Sequence, residues 1–346
     1  MPETGIAGWD VGGAHLKVAH VDGEGRMKTV MQLPCPLWQG IAHLEAAVAE
    51  ALGRLGAIGL SAVTMTGEMT DLFESRGEGV RRLIGTMRRM LPDGKILVYA
   101  GAAGFLPPEK AVLQAHRVAS ANWLASATFA AKSRSQGLFM DIGSTTSDIV
   151  PFRDGKVLGK GYTDHARLTR CELVYTGVTR TPVFAVAESV PFGGDDQPLI
   201  PELFATMADV HRLCGRLPEE ADQLPAADNK GKGEADSARR LARMLGRDVE
   251  TADMAEWKRL ALHLAEAQRR RLDAACGRVL APGLLDDDAP LVGAGIGRFL
   301  VRDLARGLGR PYVDFGSLVR GGKEAREWAA RCAPAASVAL LAAGRG

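Results

Sequence analysis

Phe139-Met140-Asp141-Ile142-Gly143-Ser144-Thr145-Thr146-Ser147-Asp148-Ile149-Val150 reads as a strand, a tight turn and a second strand. Asp141 closes the first strand, and Gly143 permits a backbone turn that a side chain would block. Ser144, Thr145 and Thr146 line the turn with hydroxyls, and consecutive backbone N–H groups in such a turn cradle a phosphate. Asp148 would repel that phosphate unless a cation stood between them, so Mg²⁺ is implied.

The stretch has an echo in Ile6-Ala7-Gly8-Trp9-Asp10-Val11-Gly12-Gly13-Ala14-His15-Leu16-Lys17-Val18-Ala19-His20-Val21-Asp22-Gly23. Both copies read Asp, β-branched apolar, Gly, small residue, then a β-rich return strand. Each return ends in an Asp-Gly hairpin signal, at Asp22-Gly23 and at Asp154-Gly155. The offset from Asp10 to Asp141 is 131 residues, too long for a solenoid repeat and suited to two related lobes facing one ligand. A third piece, Pro290-Leu291-Val292-Gly293-Ala294-Gly295-Ile296-Gly297-Arg298, reads as a late strand–glycine–helix turn.

A chain of 346 residues is long enough for two domains with sizeable cores. A net charge of +2 implies no strong field for nucleic acid or a membrane surface. The N-terminus reads as a strand rather than a signal peptide, and no apolar run reaches spanning length. Cys35, Cys171, Cys214, Cys276 and Cys332 are scattered and never C-x-x-C, which points to a reduced cytoplasmic protein without a zinc site. A homodimer is a further expectation.

Along the chain, residues 5–33 read as a hairpin plus a return strand, 40–55 as an amphipathic helix and 60–65 as a short buried strand. That strand runs into Thr66-Gly67-Glu68-Met69-Thr70-Asp71, a loop at a strand's carboxyl end, where α/β ligands usually sit. Helix 76–90 is basic and solvated, 109–133 is helical, and 163–194 holds irregular strands and loops. The polar stretch 218–237 reads as a mobile loop, and helices 236–246 and 252–280 are strongly charged.

Two Asp-x-Gly hairpins followed by a late glycine turn resemble the actin, sugar kinase and Hsp70 ATPase superfamily. The fold expected is α/β: a two-lobed ribonuclease-H-like fold with a central ligand cleft. The first lobe spans 1–136 and is completed by the helix at 326–346; the second spans 137–325, with a helical insertion at about 202–280. In that superfamily the hairpins hold phosphates and the late glycines, here Gly293, Gly295 and Gly297, hold the adenosine.

Asp141-Ile142-Gly143-Ser144-Thr145-Thr146 with Asp148 is similar to the hydantoinase A and oxoprolinase branch. The segments 10–14, 66–71, Glu172-Leu173-Val174-Tyr175-Thr176-Gly177 and Phe204-Ala205-Thr206-Met207-Ala208-Asp209-Val210 resemble a shorter relative of that branch, linked to tetrahydromethanopterin-dependent one-carbon transfer. The archaeal members of that family make the ether bond of methanofuran. The resemblance implies a cytoplasmic transferase that joins an aminomethyl-furanmethanol diphosphate to a tyramine- or tyrosine-type phenol and releases diphosphate. One departure is Gly13-Ala14-His15 in the first loop, where hydantoinases and sugar kinases carry a Thr, and it counts against ordinary kinase chemistry.

That chemistry needs a diphosphate cradle, carboxylates for a metal and a base. Gly12, Gly13, Gly143, Ser144, Thr145 and Thr146 suit the cradle. Asp10, Asp141 and Asp148 suit Mg²⁺, directly or through water, with Asp141 also counted among the catalytic groups. Glu68, Asp71 and His15 are the base candidates, although acidic residues after a strand often cap the next helix. Lys17 is as readily a solvated strand residue as a phosphate contact. Arg239, Arg240 and Arg243 suit a substrate carboxylate but read more simply as a solvated helix face, and Trp9, Trp38 and Trp123 read as core.

Two rival functions stay open. One is an ATP-dependent small-molecule kinase or amidohydrolase; the other is a nucleotide sensor without turnover. A rival fold also exists, since Gly293-Ala294-Gly295-Ile296-Gly297 with Asp314 partly satisfies a dinucleotide fingerprint. Its final glycine comes one residue early, and it leaves both hairpins unexplained.

Overall fold

The structure, a computed structural model, describes residues 5–91 and 94–344. The chain divides into two units, Met1–Gly137 with Phe152–Leu158 and Val313–Gly346, and Leu138–Pro151 with Gly159–Tyr312.

The first unit is built on a six-stranded sheet. Its strands are β1 (Gly5–Val11), β2 (His15–Val21), β3 (Met27–Pro34), β4 (Ile58–Met65), β5 (Lys95–Tyr99) and β6 (Phe105–Leu106), in the order β3-β2-β1-β4-β5-β6. β1, β2 and β3 form an antiparallel meander, and β4 and β5 run parallel to β1 on its other side. β1 is a near-continuous apolar run because both its faces are covered. On one face, α1 (Ala42–Arg54) and α2 (Arg76–Met90) pack Leu44, Val48, Leu83 and Met87 against Trp9, Leu16 and Val63. α2 is amphipathic: Val80, Leu83, Ile84 and Met87 are buried, while Arg81, Arg82, Arg88 and Arg89 are exposed. The C-terminal helix Ala333–Ala343 lies on the other face, so close that a methyl group on Gly8 would stand 2.8 Å from Ala339 N.

The helical stretch expected at 109–133 is three pieces: α3 (Pro108–Leu113), α4 (Ala115–Val118) and α5 (Asn122–Ser133). One break falls at Gln114 and the other at Ser120, whose φ of +51° is left-handed and uncommon for a residue with a side chain.

The second sheet holds β7 (Gln136–Ile142), β8 (Ser147–Arg153), β9 (Lys156–Val157), β10 (Leu173–Val174), β13 (Leu291–Ala294) and β14 (Tyr312–Asp314) in the order β10-β8-β7-β13-β14, with β9 beside β8; β11 (Ser189–Phe192) and β12 (Asp195–Pro198) form a separate hairpin. β7 forms a hairpin with β8 and has β13 parallel on its other side, so β1-β2-β4 of the first unit corresponds to β7-β8-β13 here. A doubly wound parallel sheet is thereby excluded. Asp314, the acidic ribose contact of the rival reading, accepts from Gly316 N at 2.9 Å and caps the next turn. Asp154 and Gly155 both have positive φ, which makes their hairpin the two-residue turn that an Asp-Gly pair favours. In the other copy the positive φ falls at Gly25 rather than Gly23, within a longer loop that Asp22 braces by accepting from Glu24 N and Arg26 N.

Around this sheet stand α6 (Asp164–Thr169), α7 (Met207–Leu213), α8 (Glu234–Met244), α9 (Met254–Leu280) and α10 (Arg298–Gly307). α7, α8 and α9 share a core of Val210, Leu241, Leu260, Leu264 and Trp257, which stacks on Phe192 with ring centroids 4.9 Å apart. Residues 218–237 are tied down rather than left as a loose loop. Arg240 is completely buried, donates to Asp209 from Nε and Nη2 and to Asp228 and Gly231 O from Nη1, while Lys232 Nζ reaches Asp222 O at 2.7 Å. Arg239 and Arg243 also pair with Asp228. Arg240 is thus the centre of an ion-pair network, neither a solvated face nor a docking group for a substrate carboxylate.

Candidate active site

The two Asp-x-Gly turns are geometric copies. Gly12 N donates to His15 O at 3.1 Å, and Gly143 N donates to Thr146 O at 2.9 Å. At the common offset of 131 residues, His15 stands where Thr146 stands and Lys17 where Asp148 stands. The likeness extends into segments with no matching sequence. Thr66 N, just past β4, donates to Val11 O at 3.0 Å, and Gly297 N, just past β13, donates to Ile142 O at 2.9 Å. In each unit the loop leaving the parallel neighbour is bonded to the carbonyl that follows the aspartate.

In the first unit Asp10 is 2% exposed. Lys17, its partner across β1 and β2, stands 3.8 Å away, and Asn122 Nδ2 stands 3.5 Å from Asp10 Oδ1. Lys17 is therefore the counter-charge of Asp10. Glu68 is 1% exposed and accepts from Ser120 Oγ at 2.8 Å. α2 backs it closely, since a methyl group on Gly79 would lie 2.8 Å from Glu68 Cα. One on Gly13 would lie 2.9 Å from Thr70 Cγ2, so the first turn and the 66–71 loop adjoin. His15 is buried at the start of β2, whereas Asp71 is exposed. Trp9 and Trp123 are core, but Trp38 is 40% exposed, because the short helical turn 37–39 buries Leu37 instead.

Sequence reasoning missed Ser120 and Asn122. Their one signal is a Ser-Ala-Asn interruption in an alanine-rich run. The left-handed backbone at Ser120 turns its hydroxyl onto Glu68 and starts α5 with Asn122 beside Asp10. A single strained residue thereby organises the surroundings of two buried carboxylates.

In the second unit Asp141 is 9% exposed. Ser144 O accepts from Arg180 N at 2.8 Å and from Thr179 N at 3.2 Å, and Gly143 O accepts from Val178 N at 3.0 Å. The Ser144 and Thr145 hydroxyls lie 3.4 Å apart, and Arg180 Nη1 stands 3.5 Å from Thr145 Oγ1. Arg180, not singled out from sequence, adds a cation to the hydroxyl-lined turn. Asp148 accepts from Arg167 Nη2 at 2.8 Å, and Arg167 is only 1% exposed. A buried guanidinium requires a counter-charge, so any metal at Asp148 would share that carboxylate with Arg167.

The glycines divide differently from the sequence expectation. A methyl group on Gly143 would meet only Thr146 O, at an ordinary 3.5 Å, and the backbone there has no positive φ. This turn does not need Gly143 for steric reasons. Gly177 is the tight position: its methyl would stand 2.5 Å from Ser144 O and closer to Ser144 C and Thr145 N. Gly295 has φ +82°, and its methyl would stand 2.6 Å from Ile142 C and closer to Ile142 O and Asp141 Oδ1. Gly297 packs on Ile142 and Val178, and Gly293 on Tyr312. Close packing over the end of β7 accounts for Gly295 and Gly297, and packing under Tyr312 and Val301 accounts for Gly293.

Among the described residues no group of three or more His, Cys, Asp and Glu side chains could hold a metal ion, and no helix is long and apolar enough to cross a membrane.

Two sheets, each with its hairpin and parallel neighbour, ending in paired Asp-x-Gly turns, define the class: the ribonuclease-H-like fold of actin, Hsp70 and the sugar kinases. Acetone carboxylase, solved nucleotide-free, shares this fold at TM-score 0.59 and 11% identity, over 89% of this chain and 68% of that chain. The profile of the hydantoinase/oxoprolinase family matches residues 60–316. Over 246 residues the chain is 31% identical to the (4-{4-[2-(γ-L-glutamylamino)ethyl]phenoxymethyl}furan-2-yl)methanamine synthase of Methanocaldococcus jannaschii, covering 71% of this chain and 72% of the relative. The protein of that name from Methanococcus vannielii is 30% identical over 112 residues, 32% of this chain and 50% of its own length. The chain therefore belongs to the hydantoinase/oxoprolinase family, in the branch that contains these synthases.

Proposed function

We propose that this chain is an enzyme, a transferase that condenses an aminomethyl-furanmethanol diphosphate with the phenol of a tyramine- or tyrosine-type compound. The observation that carries this reading is the similarity, across 71% of the chain, to a relative whose name describes that phenoxymethyl-furan product. In the reaction the bond from the furan methylene carbon to diphosphate oxygen breaks, and diphosphate leaves with the electron pair. The phenol oxygen bonds to the methylene carbon, and its proton passes to a base.

The turn at 143–146, with its hydroxyls and Arg180, suits the leaving diphosphate, since donors aimed at developing negative charge lower the barrier. Mg²⁺ fits as an ion held by one or two carboxylates plus phosphate oxygens, which is how that ion is commonly bound. Asp141 is the carboxylate for it in the second unit, with Asp148 shared with Arg167, and Asp10 is its counterpart in the first unit; bound at Asp141, the ion would neutralise charge on the leaving group. Of Glu68, Asp71 and His15 as proton acceptor, Glu68 is favoured, because Ser120 donates to its carboxylate and α2 packs against its backbone.

A second reading, ATP-dependent amidohydrolase chemistry, draws on the hydantoinase/oxoprolinase match over 60–316. Against it stands the first turn, where Gly13-Ala14-His15 offers no hydroxyl. The test incubates the protein with Mg²⁺, the furan diphosphate and a tyramine- or tyrosine-type phenol, and follows the ether product by mass alongside diphosphate release. ATP replaces the furan diphosphate in a control. Ether formation that disappears in Asp141→Asn supports the first reading. ADP formation without ether replaces it with the second.

A further inference from the structure

Gln268 of α9 and His211 of α7 are completely buried, yet both are polar. Gln268 Nε2 donates to Thr176 Oγ1 and to Gly177 O, each at 2.8 Å, which uses both of its hydrogens. The amide orientation is thereby set, because a flipped amide would bring its oxygen against the Gly177 carbonyl. Gln268 Oε1 then accepts from His211 Nε2 at 2.7 Å. His211 Nδ1 has no partner among the described residues, which suits a neutral ring carrying its proton on Nε2. The ring stands edge-on to Phe299, with centroids 5.2 Å apart.

The two residues that Gln268 holds are those that support the hydroxyl-lined turn. Thr176 O accepts from Ser147 Oγ at 2.6 Å, and Gly177 lies directly against the Ser144–Thr145 peptide. Buried amide and imidazole groups are costly where apolar side chains would pack, unless their hydrogen bonds serve a purpose.

We propose that Gln268, oriented by His211, is a positioning residue for the anion cradle. It seats the Thr176–Gly177 peptide against the Ser144–Thr145 peptide and so sets where the hydroxyls and N–H groups of the turn meet a substrate phosphate. The last clause rests on the diphosphate reading of this turn; the seating does not.

Two measurements on the full chain separate these parts: amide hydrogen exchange, and calorimetric binding of inorganic diphosphate with Mg²⁺. Gln268→Met and His211→Phe are expected to lose about tenfold protection in peptides spanning 139–150, the equivalent of one hydrogen bond. Diphosphate affinity is expected to fall by about the same factor. Peptides spanning 5–21, in the other unit, should be unchanged. His211→Gln keeps an N–H donor and should recover most of both losses. Wild-type protection at 139–150 in a folded Gln268→Met protein would overturn the proposal. So would a loss spread evenly over the chain in both Gln268→Met and His211→Phe, which is what a purely structural pair would give. If the wild type does not bind diphosphate while Gln268→Met still loosens 139–150, the seating is supported and the diphosphate reading fails.

Discussion

The paired substitutions Gly143→Ala and Gly177→Ala probe the cradle most sharply, because sequence and structure rank them in opposite order. At Gly177 the added methyl would stand 2.5 Å from Ser144 O and nearer to two other backbone atoms. Normal carbon contacts begin near 3.5 Å, so the Ser144–Thr145 peptide must move by about 1 Å. Overpacking of this kind costs about 1–3 kcal/mol, and Gly→Ala returns about 0.4–1 kcal/mol by stiffening the unfolded chain. A net loss of about 0–2.6 kcal/mol follows, centred on about 1.3 kcal/mol. At Gly143 the methyl finds ordinary space at 3.5 Å and no positive φ, so the unfolded-chain gain stands alone and stability should be unchanged or up to about 1 kcal/mol higher. Urea unfolding followed by circular dichroism measures both. A displacement of about 1 Å also typically lowers the rate of a positioned reaction about a hundredfold, so Gly177→Ala should lose turnover well beyond its loss of stability. Equal unfolding midpoints for the two variants, or a Gly143→Ala protein less stable than Gly177→Ala, would refute the packing argument.

Other expectations follow from single contacts. Arg240→Met leaves Asp209 buried without the guanidinium that donates twice to its Oδ1 and should cost about 3–5 kcal/mol in urea unfolding, with new protease cleavage in 218–237. Ser120→Ala deprives buried Glu68 of a donor and should destabilise by about 1–3 kcal/mol with reduced turnover, whereas an unchanged enzyme would separate Ser120 from the site. His211 titrates at about 4 rather than 6.5, chiefly through burial, with the Gln268 bond opposing and Arg216 assisting. A lowered histidine pKa means the unfolded chain binds the proton first, so stability should fall as pH drops from about 6.5 to about 4, by about 3 kcal/mol in all, and level off below. His211→Phe should remove that slope between pH 6.5 and 4.5, as read by unfolding midpoints across pH.

The hydrogen-bonded copies at Gly12–His15 and Gly143–Thr146 were legible in the sequence, because a hairpin turn is local and its Asp-x-Gly spacing states its geometry. The strands around the turns and the helices at 40–55, 76–90 and 252–280 were legible for the same reason: period and turn chemistry act within a few residues. The superfamily was legible through the resemblance of those turns to known relatives. What the sequence hid is long-range. Nothing near residue 143 announces that Gly177, rather than Gly143, is the glycine the turn requires, since the clash comes from a segment about 30 residues away. Ser120 lies 52 residues from the Glu68 it bonds, Arg167 was unremarked as the partner of Asp148, and Gln268 stands 92 residues from Thr176. Arg240 looked solvent-facing by composition, yet it is buried because Asp209 and Asp228 converge on it. The sequence by itself thus determined which turns and elements exist, through neighbours along the chain. Only the tertiary structure decided which carboxylate is paired with which cation and which glycine has no room for a methyl, because those are matters of atoms brought together by folding.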